Sequence, residues 1–344
     1  MDVHKNILQI ARYAKERGLG EGLRYVKRRA IAKLNDLPHT ITFEPASVCN
    51  INCAFCYILK APIDRGGKFL PFETFKKVID DTEAFLQEVM LHWRGEPLMN
   101  KKVPDMVLYA SKKGIRSSMS TNGLLLSRDM ACALIENALA YITICVDGTD
   151  QDVYDLHRCG GRLDILLENI AGMVQAKREK RSRYPYINLQ MIVTKKNEHQ
   201  IGEFERLARR IGADGACLMS LFIDRTADHG FVRHIEESYF VSADQEGVSR
   251  YFVDNKGGIR LYNLDTVCPQ DAKYPLVTCD GDVVGCCYEI FLKHRFGNVR
   301  ERSFISIWND RRFVEFRKNV MMRRTLDMCQ NCMPKYREWT HRLF

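Results

Sequence analysis

Thirteen cysteines stand in a chain of 344 residues, and their spacing concentrates the chemistry. Cys49, Cys53 and Cys56 form a C-x3-C-x2-C run within eight residues. Much later, Cys268, Cys286 and the pair Cys329-Gln-Asn-Cys332 supply four more thiols. An odd number of cysteines cannot all pair, and a reducing compartment disfavours disulfides, so metal ligation or catalytic use explains the excess better. Four thiolates complete a ligand set for one iron–sulfur cluster or for a zinc ribbon. Three do not close a tetrahedral zinc site, which takes four ligands. They can hold three irons of a cubane and leave the fourth to an exogenous ligand. A zinc ion that borrows a distant ligand is the competing reading.

The elements that must position these thiols follow from periodicity. His39 to Phe43, Glu88 to Trp93, Ile115 to Met119, Tyr141 to Val146, Ile187 to Val193 and Ala216 to Phe222 read as six short strands. Between them lie helix-period segments, one opened by Pro71 and carried by Phe75, Val78 and Ile79, another by Leu163, Leu166, Ile170 and Met173. Strand–helix units repeated in this way predict a parallel sheet, an α/β architecture with chemistry at the carboxyl ends of the strands. The first cysteine run directly follows the first strand, at that end. Ahead of it, Leu23, Val26, Ala30, Ile31 and Leu34 recur at helical spacing among basic residues. That pattern predicts a helix packed on the main domain with a solvated basic face; a membrane-surface or partner-binding helix is the alternative. From about Leu264 the pattern changes to short strands and turns, with Asp280-Gly281 marking a hairpin.

With its C-x3-C-x2-C run, closed by the aromatic Tyr57, the chain resembles the radical SAM superfamily. Gly95-Glu96-Pro97 after the second strand is similar to the family's glycine/glutamate motif, which receives the amino group of S-adenosylmethionine. Ser120-Thr121-Asn122-Gly123 follows the third strand as the family's TNG turn does. Val146-Asp147-Gly148 follows the fourth, where the family contacts the cosubstrate ribose; Cys145 stands here in place of the usual serine. The resemblance implies a partial (β/α)6 TIM-like barrel and Cys49, Cys53 and Cys56 as ligands of a 4Fe-4S cluster. It also implies S-adenosylmethionine on the open iron, reductively cleaved to a 5′-deoxyadenosyl radical. Tyr57, Gly95, Glu96, Pro97, Ser120, Asn122 and Asp147 become the cofactor-binding residues. The C-terminal cysteines, with Gly281-x4-Cys286, Gly297-Asn298-Val299 and Ile307-Trp308, resemble the SPASM/Twitch extension. No cysteine follows Cys332, which implies the shorter, single-cluster Twitch-like form, a small α+β domain with a second, auxiliary 4Fe-4S cluster. Cys279 and Cys287 compete with Cys286 as its second ligand. The implied division is a helical extension over 1–39, a core barrel over 40–225, a bridge over 226–262 and the auxiliary-cluster domain over 263–344.

Composition bounds the function. With 46% hydrophobic and 28% charged residues the chain is globular rather than disordered. It lacks an apolar run long enough to span a membrane and its first twenty residues lack a secretory core, which points to the cytoplasm. Thirteen Lys and Arg against five Asp and Glu in residues 293–344 hold nearly all of the +9 net charge. That places the charge beside the proposed cluster ligands, where it offsets an anionic cluster, and argues against nucleic acid as a partner. The leading expectation is a radical SAM oxidoreductase or epimerase acting on a small polyol, sugar or aminocyclitol. Cys159, in the loop after the fourth strand, is its candidate catalytic residue, returning a hydrogen atom to a substrate radical. A maturase of a ribosomally synthesised peptide is the alternative, and a non-catalytic metal-binding nucleic-acid module the second. A low-potential electron donor such as a flavodoxin or ferredoxin is the expected partner.

Overall fold

In the computed structural model the strands run, in chain order, β1 (Thr40–Phe43), a two-residue β2 (Asn52–Cys53), β3 (Glu88–Leu91), β4 (Arg116–Thr121), β5 (Tyr141–Cys145), a two-residue β6 (Arg158–Cys159), β7 (Tyr186–Val193) and β8 (Gly215–Ser220). The residues described are 19–56, 68–223, 229–241, 248–255, 258–261, 268, 273–321, 329 and 340–344. Six of these strands pair in parallel in the order β1-β3-β4-β5-β7-β8. All six coincide with the segments expected from sequence, and the partial-barrel α/β architecture holds.

One parity of each strand packs outward. Ile41, Phe43, Val89, Leu91, Ile142, Ile144, Leu189 and Met191 are fully buried in one core with side chains of helices α2 (Phe72–Thr82), α3 (Val103–Lys112), α4 (Arg128–Glu136) and α6 (Leu163–Glu179). Short α5 (Gln151–His157) lies between β5 and β6, and α7 (Ile201–Ile211) precedes β8. The other parity is largely polar. Ser118 Oγ donates to Glu88 Oε1 at 3.0 Å, Asn188 Nδ2 to Cys217 Sγ at 3.2 Å and Gln190 Nε2 to Cys145 Sγ at 3.9 Å. Successive strand residues alternate faces, so this polar set lines the concave side.

The chain beyond β8 adds α8 (His229–Tyr239), the hairpin β9 (Tyr251–Val253) and β10 (Ile259–Leu261), and then a feature the sequence did not announce. Strand β11 (Leu276–Val277) runs parallel to β1, and β12 (Asp282–Val284) and β13 (Arg295–Asn298) follow in antiparallel order. Gly281, at φ +89°, turns the expected Asp280-Gly281 hairpin. After α9 (Phe304–Trp308) and α10 (Arg311–Met321), β14 (Thr340–Arg342) pairs antiparallel with β8 at the opposite edge. Among the described residues the result is a ten-stranded sheet whose two flanks are both supplied by the end of the chain.

Helix α1 (Leu19–Leu34) does not bury the expected stripe. Leu23 and Leu34 are 72% and 83% exposed, while Tyr25, Arg28 and Ala32 face the protein. The reason is Arg28. Its Nη1 and Nη2 donate to the carbonyls of Gly114 and Lys113, each at 2.6 Å, satisfying groups that the end of α3 leaves open. Arg28→Ala is expected to cost about 2 kcal/mol in a denaturant titration, the scale of a charged hydrogen bond, while S-adenosylmethionine cleavage stays at the wild-type rate. No helix among the described residues is long and apolar enough to cross a membrane.

Candidate active site

The loop after β1 is held from several sides before it reaches its first cysteine. Ala46 bridges Phe69, and the Ser47 N–H donates to Lys68 O at 3.0 Å. Cys53 is buried, and Cys49 and Cys56 are half-buried. Burial pushes the Cys53 thiol up to about 11; Arg158 opposes that, while Cys56 and Cys49 add to it. Burial likewise raises Cys49, with Cys56 among the groups that add to the effect. Among the described residues no three His, Cys, Asp or Glu side chains stand close enough to share a single metal ion. Three soft donors on one loop, backed by a buried guanidinium, fit the ligand set of a polynuclear iron–sulfur cluster. Tyr57 lies outside the described residues.

The strand-end motifs lock together around this loop. A Cβ on Gly95 would stand 2.2 Å from Ala46 O and 2.5 Å from Val48 O, so only glycine permits the approach. The next N–H, of Glu96, donates to Val48 O at 2.8 Å. The Glu96 carboxylate is buried and accepts from Leu98 N at 3.0 Å, Thr121 Oγ1 at 2.6 Å and Asn122 N at 2.8 Å. Burial raises its carboxyl above the usual range, and these donors pull it back. Pro97 starts a 3-10 turn over Pro97–Met99 and is itself buried. Asn122 Nδ2 donates to Asn50 Oδ1 at 2.8 Å and lies 3.7 Å from Cys49 Sγ. One carboxylate thus ties the loops after β3 and β4 together, and the Glu96 N–H and the Asn122 side chain join them to the cysteine loop. Gly95→Ala must push those backbones apart, and a loss of S-adenosylmethionine affinity of about tenfold or more is expected by equilibrium binding to the anaerobic protein.

Asp147, expected to contact the cosubstrate ribose, is held by the protein's own groups. It is fully buried; Oδ1 accepts from Ile192 N at 2.7 Å and Oδ2 from Arg158 Nε at 2.6 Å. Its influence on the site therefore passes through Arg158, whose Nη1 lies 3.3 Å from Cys53 Sγ. Burial works against the guanidinium's charge, but Asp147 and then Cys53 hold it firmly protonated. Ser120 faces the concave side, 3.8 Å from Cys145 Sγ. Cys145 thus stands on that face among polar groups, as the serine it replaces would.

Cys159 sits in β6, which pairs with β2 so that Asn52 faces Cys159 and Cys53 faces Arg158. Its thiol is half-buried, 3.3 Å from the Asp155 carbonyl. It lines a cavity of about 420 Å³ together with Asn52, Cys53, Ala54, Phe231 and His234. The structure places it beside the cysteine loop, while the polar concave face is formed by other residues.

Sequence reading passed over Arg158, Glu44 and the concave-face residues Asn188 and Gln190. The last two carried a signal, because polar residues at alternate positions of a strand buried on both faces have no place in an apolar core. Glu44, fully buried, is gripped by Arg94, with Nε to Oε1 at 2.8 Å and Nη2 to Oε2 at 3.0 Å. Burial holds the neighbouring His92 down to about 4, so that ring is neutral at physiological pH. The Trp93 indole donates from Nε1 to the Cys287 carbonyl at 2.8 Å.

The second cysteine set lies across this seam. Cys268, Cys286 and Cys329 are half-buried against the edge of the main core; Cys332 lies outside the described residues. Cys279 is buried, its thiol pushed up to about 12 by burial and then by Glu44 and Asp280. Cys286 is raised by its contact with Cys287 and by burial.

The chain matches the Radical SAM superfamily over residues 43–208 and the SPASM iron–sulfur cluster-binding domain over residues 268–333. It is 30% identical over 300 residues to a tungsten-containing aldehyde ferredoxin oxidoreductase cofactor-modifying protein of Pyrococcus furiosus, covering 80% of this chain and 82% of that protein. It is 26% identical over 295 residues to the mycofactocin maturase MftC of Mycolicibacterium smegmatis, covering 79% of this chain and 70% of that one. Among solved structures, Streptococcus suis SuiB bound to S-adenosylmethionine aligns with a TM-score of 0.60 at 12% identity, over 95% of this chain and 82% of that one. BtrN in complex with AdoMet and 2-DOIA aligns with a TM-score of 0.53 at 18% identity, over 88% of this chain and 98% of that one. At these identities the two structures speak for the fold.

Proposed function

Since this chain belongs to the radical SAM superfamily and carries its SPASM domain, we propose that it is a maturase that modifies a ribosomally synthesised peptide. S-adenosylmethionine and two iron–sulfur clusters are its cofactors. When bound, these groups would supply reductive cleavage of S-adenosylmethionine and, through it, hydrogen abstraction from a C–H bond of the substrate. The chain's own residues bind, orient and enclose. In this proposal Cys49, Cys53 and Cys56 hold the first cluster, within a core barrel spanning 40–225. Gly95, Glu96 and Asn122 shape the floor on which the cosubstrate lies. Ser118, Ser120, Asn188 and Gln190 orient a polar substrate on the concave face. Cys268, Cys286, Cys329 and Cys332 would hold the second cluster, in a domain over 263–344, where it would supply a site for electron transfer.

The observation that carries the peptide reading is the likeness to MftC, named a maturase, over most of both chains. The expectation of a small polyol, sugar or aminocyclitol finds no support among these relatives, since the likeness to BtrN is one of fold. A second reading, modification of a cofactor precursor, is favoured by the name of the Pyrococcus furiosus relative. The deciding experiment incubates the reconstituted protein anaerobically with S-adenosylmethionine, reductant and short peptides encoded beside its gene. A peptide that stimulates 5′-deoxyadenosine release and changes mass is the expected result. Stimulation by a small cofactor precursor or an aminocyclitol, with every peptide inert, would overturn it.

A further inference from the structure

The guanidinium of Arg158 faces two ways. Nε and Nη2 reach Asp147 Oδ2 at 2.6 and 2.5 Å, while Nη1 lies 3.3 Å from Cys53 Sγ. The β2–β6 pair fixes this span, because Cys53 and Arg158 are partners in its register. At the far side the Asp147 carboxylate is itself pinned by the Ile192 N–H. It is therefore a fixed anchor for the arginine. The neutral amide of Asn122 is farther from its sulfur, 3.7 Å from Cys49 Sγ; the charged contact falls on Cys53.

We propose that Arg158 tunes the cluster held by Cys49, Cys53 and Cys56. Its Nη1–H donates to the Cys53 sulfur and sets how readily that cluster is reduced, with Asp147 holding the guanidinium in place. The proposal rests on the radical SAM reading above. Hydrogen bonds to ligand sulfurs and local charge are among the factors that set an iron–sulfur potential, and groups one shell beyond the ligands tune the metal. Reduction adds negative charge beside Cys53, so a cation and an N–H at that sulfur favour the reduced form. Removing them makes reduction harder.

The test is an anaerobic redox titration of the reconstituted holoenzyme, read by EPR on the signal whose shape changes when S-adenosylmethionine is added. That criterion separates the two clusters. Arg158→Gln is expected to lower the reduced-to-oxidised ratio at fixed potential about tenfold, or about 59 mV for a one-electron couple, with the second cluster unmoved. Because this substitution strands a buried carboxylate, Arg158→Gln/Asp147→Asn is titrated beside it; the neutral pair can still hydrogen-bond and should shift the same signal in the same direction. Arg158→Lys keeps the charge without the fork and should fall between. An unmoved potential in either iron-loaded glutamine variant overturns the tuning role. An unaltered protein whose EPR signals ignore S-adenosylmethionine overturns the radical SAM reading instead.

Discussion

Cys53→Ala is expected to abolish S-adenosylmethionine cleavage and to lower the iron of the reconstituted protein from about eight atoms per chain to about four, as one four-iron cluster is lost and the other kept. Cys53 is the buried member of its trio, and it alone stands opposite Arg158 in the β2–β6 register. Its removal takes away a ligand and leaves a buried guanidinium facing a void. Iron analysis and 5′-deoxyadenosine release read the two effects separately. Cys286→Ala should also lower the iron to about four, but with reductive cleavage retained. Equal loss of cleavage in both variants would show that the two clusters are not independent.

Glu44→Ala should have the largest effect on stability. Glu44 and Arg94 form an ion pair whose side chains are 0% and 5% exposed, and Glu44 Oε2 also accepts from the Cys279 N–H at 3.2 Å. Among the described residues Arg94 Nη1 already lacks a hydrogen-bond partner, so the guanidinium has no second acceptor to fall back on. Breaking such a pair by removing one member costs about 3–5 kcal/mol, because a desolvated charge is left behind. Replacing both, as Glu44→Leu/Arg94→Met, should restore most of that loss. Denaturant titration of the reduced apo-protein checks both. Equal destabilisation by the single and double variants would mean that the pair is not the source of the effect.

The sequence exposed what is periodic or local. The six parallel strands carry alternating β-prone runs, and the cysteine runs are fixed by spacing. Glu96 and Asn122 lie within short recognisable motifs. What stayed hidden depends on contacts far apart in sequence. Arg158 meets Asp147 across eleven positions and Cys53 across 105, and nothing local separates it from the many other arginines of a basic chain. The same holds for Glu44, whose partners Arg94 and Cys279 are 50 and 235 positions away. Helix α1 shows the opposite error. Its apolar periodicity is genuine, yet two charged hydrogen bonds from Arg28 outweigh the modest apolar area on the other face and turn that face outward.

The placement of β11 along β1 and of β14 along β8 bears on damage as well as on assembly. A protease cut or a premature stop ahead of residue 273 would strip away both outer neighbours at once, leaving two raw borders of unpaired amides and carbonyls. Such borders recruit strands from other molecules. The truncated product should therefore stick to its own kind and precipitate, so that a shortened chain is lost to quality control before its missing second cluster could matter.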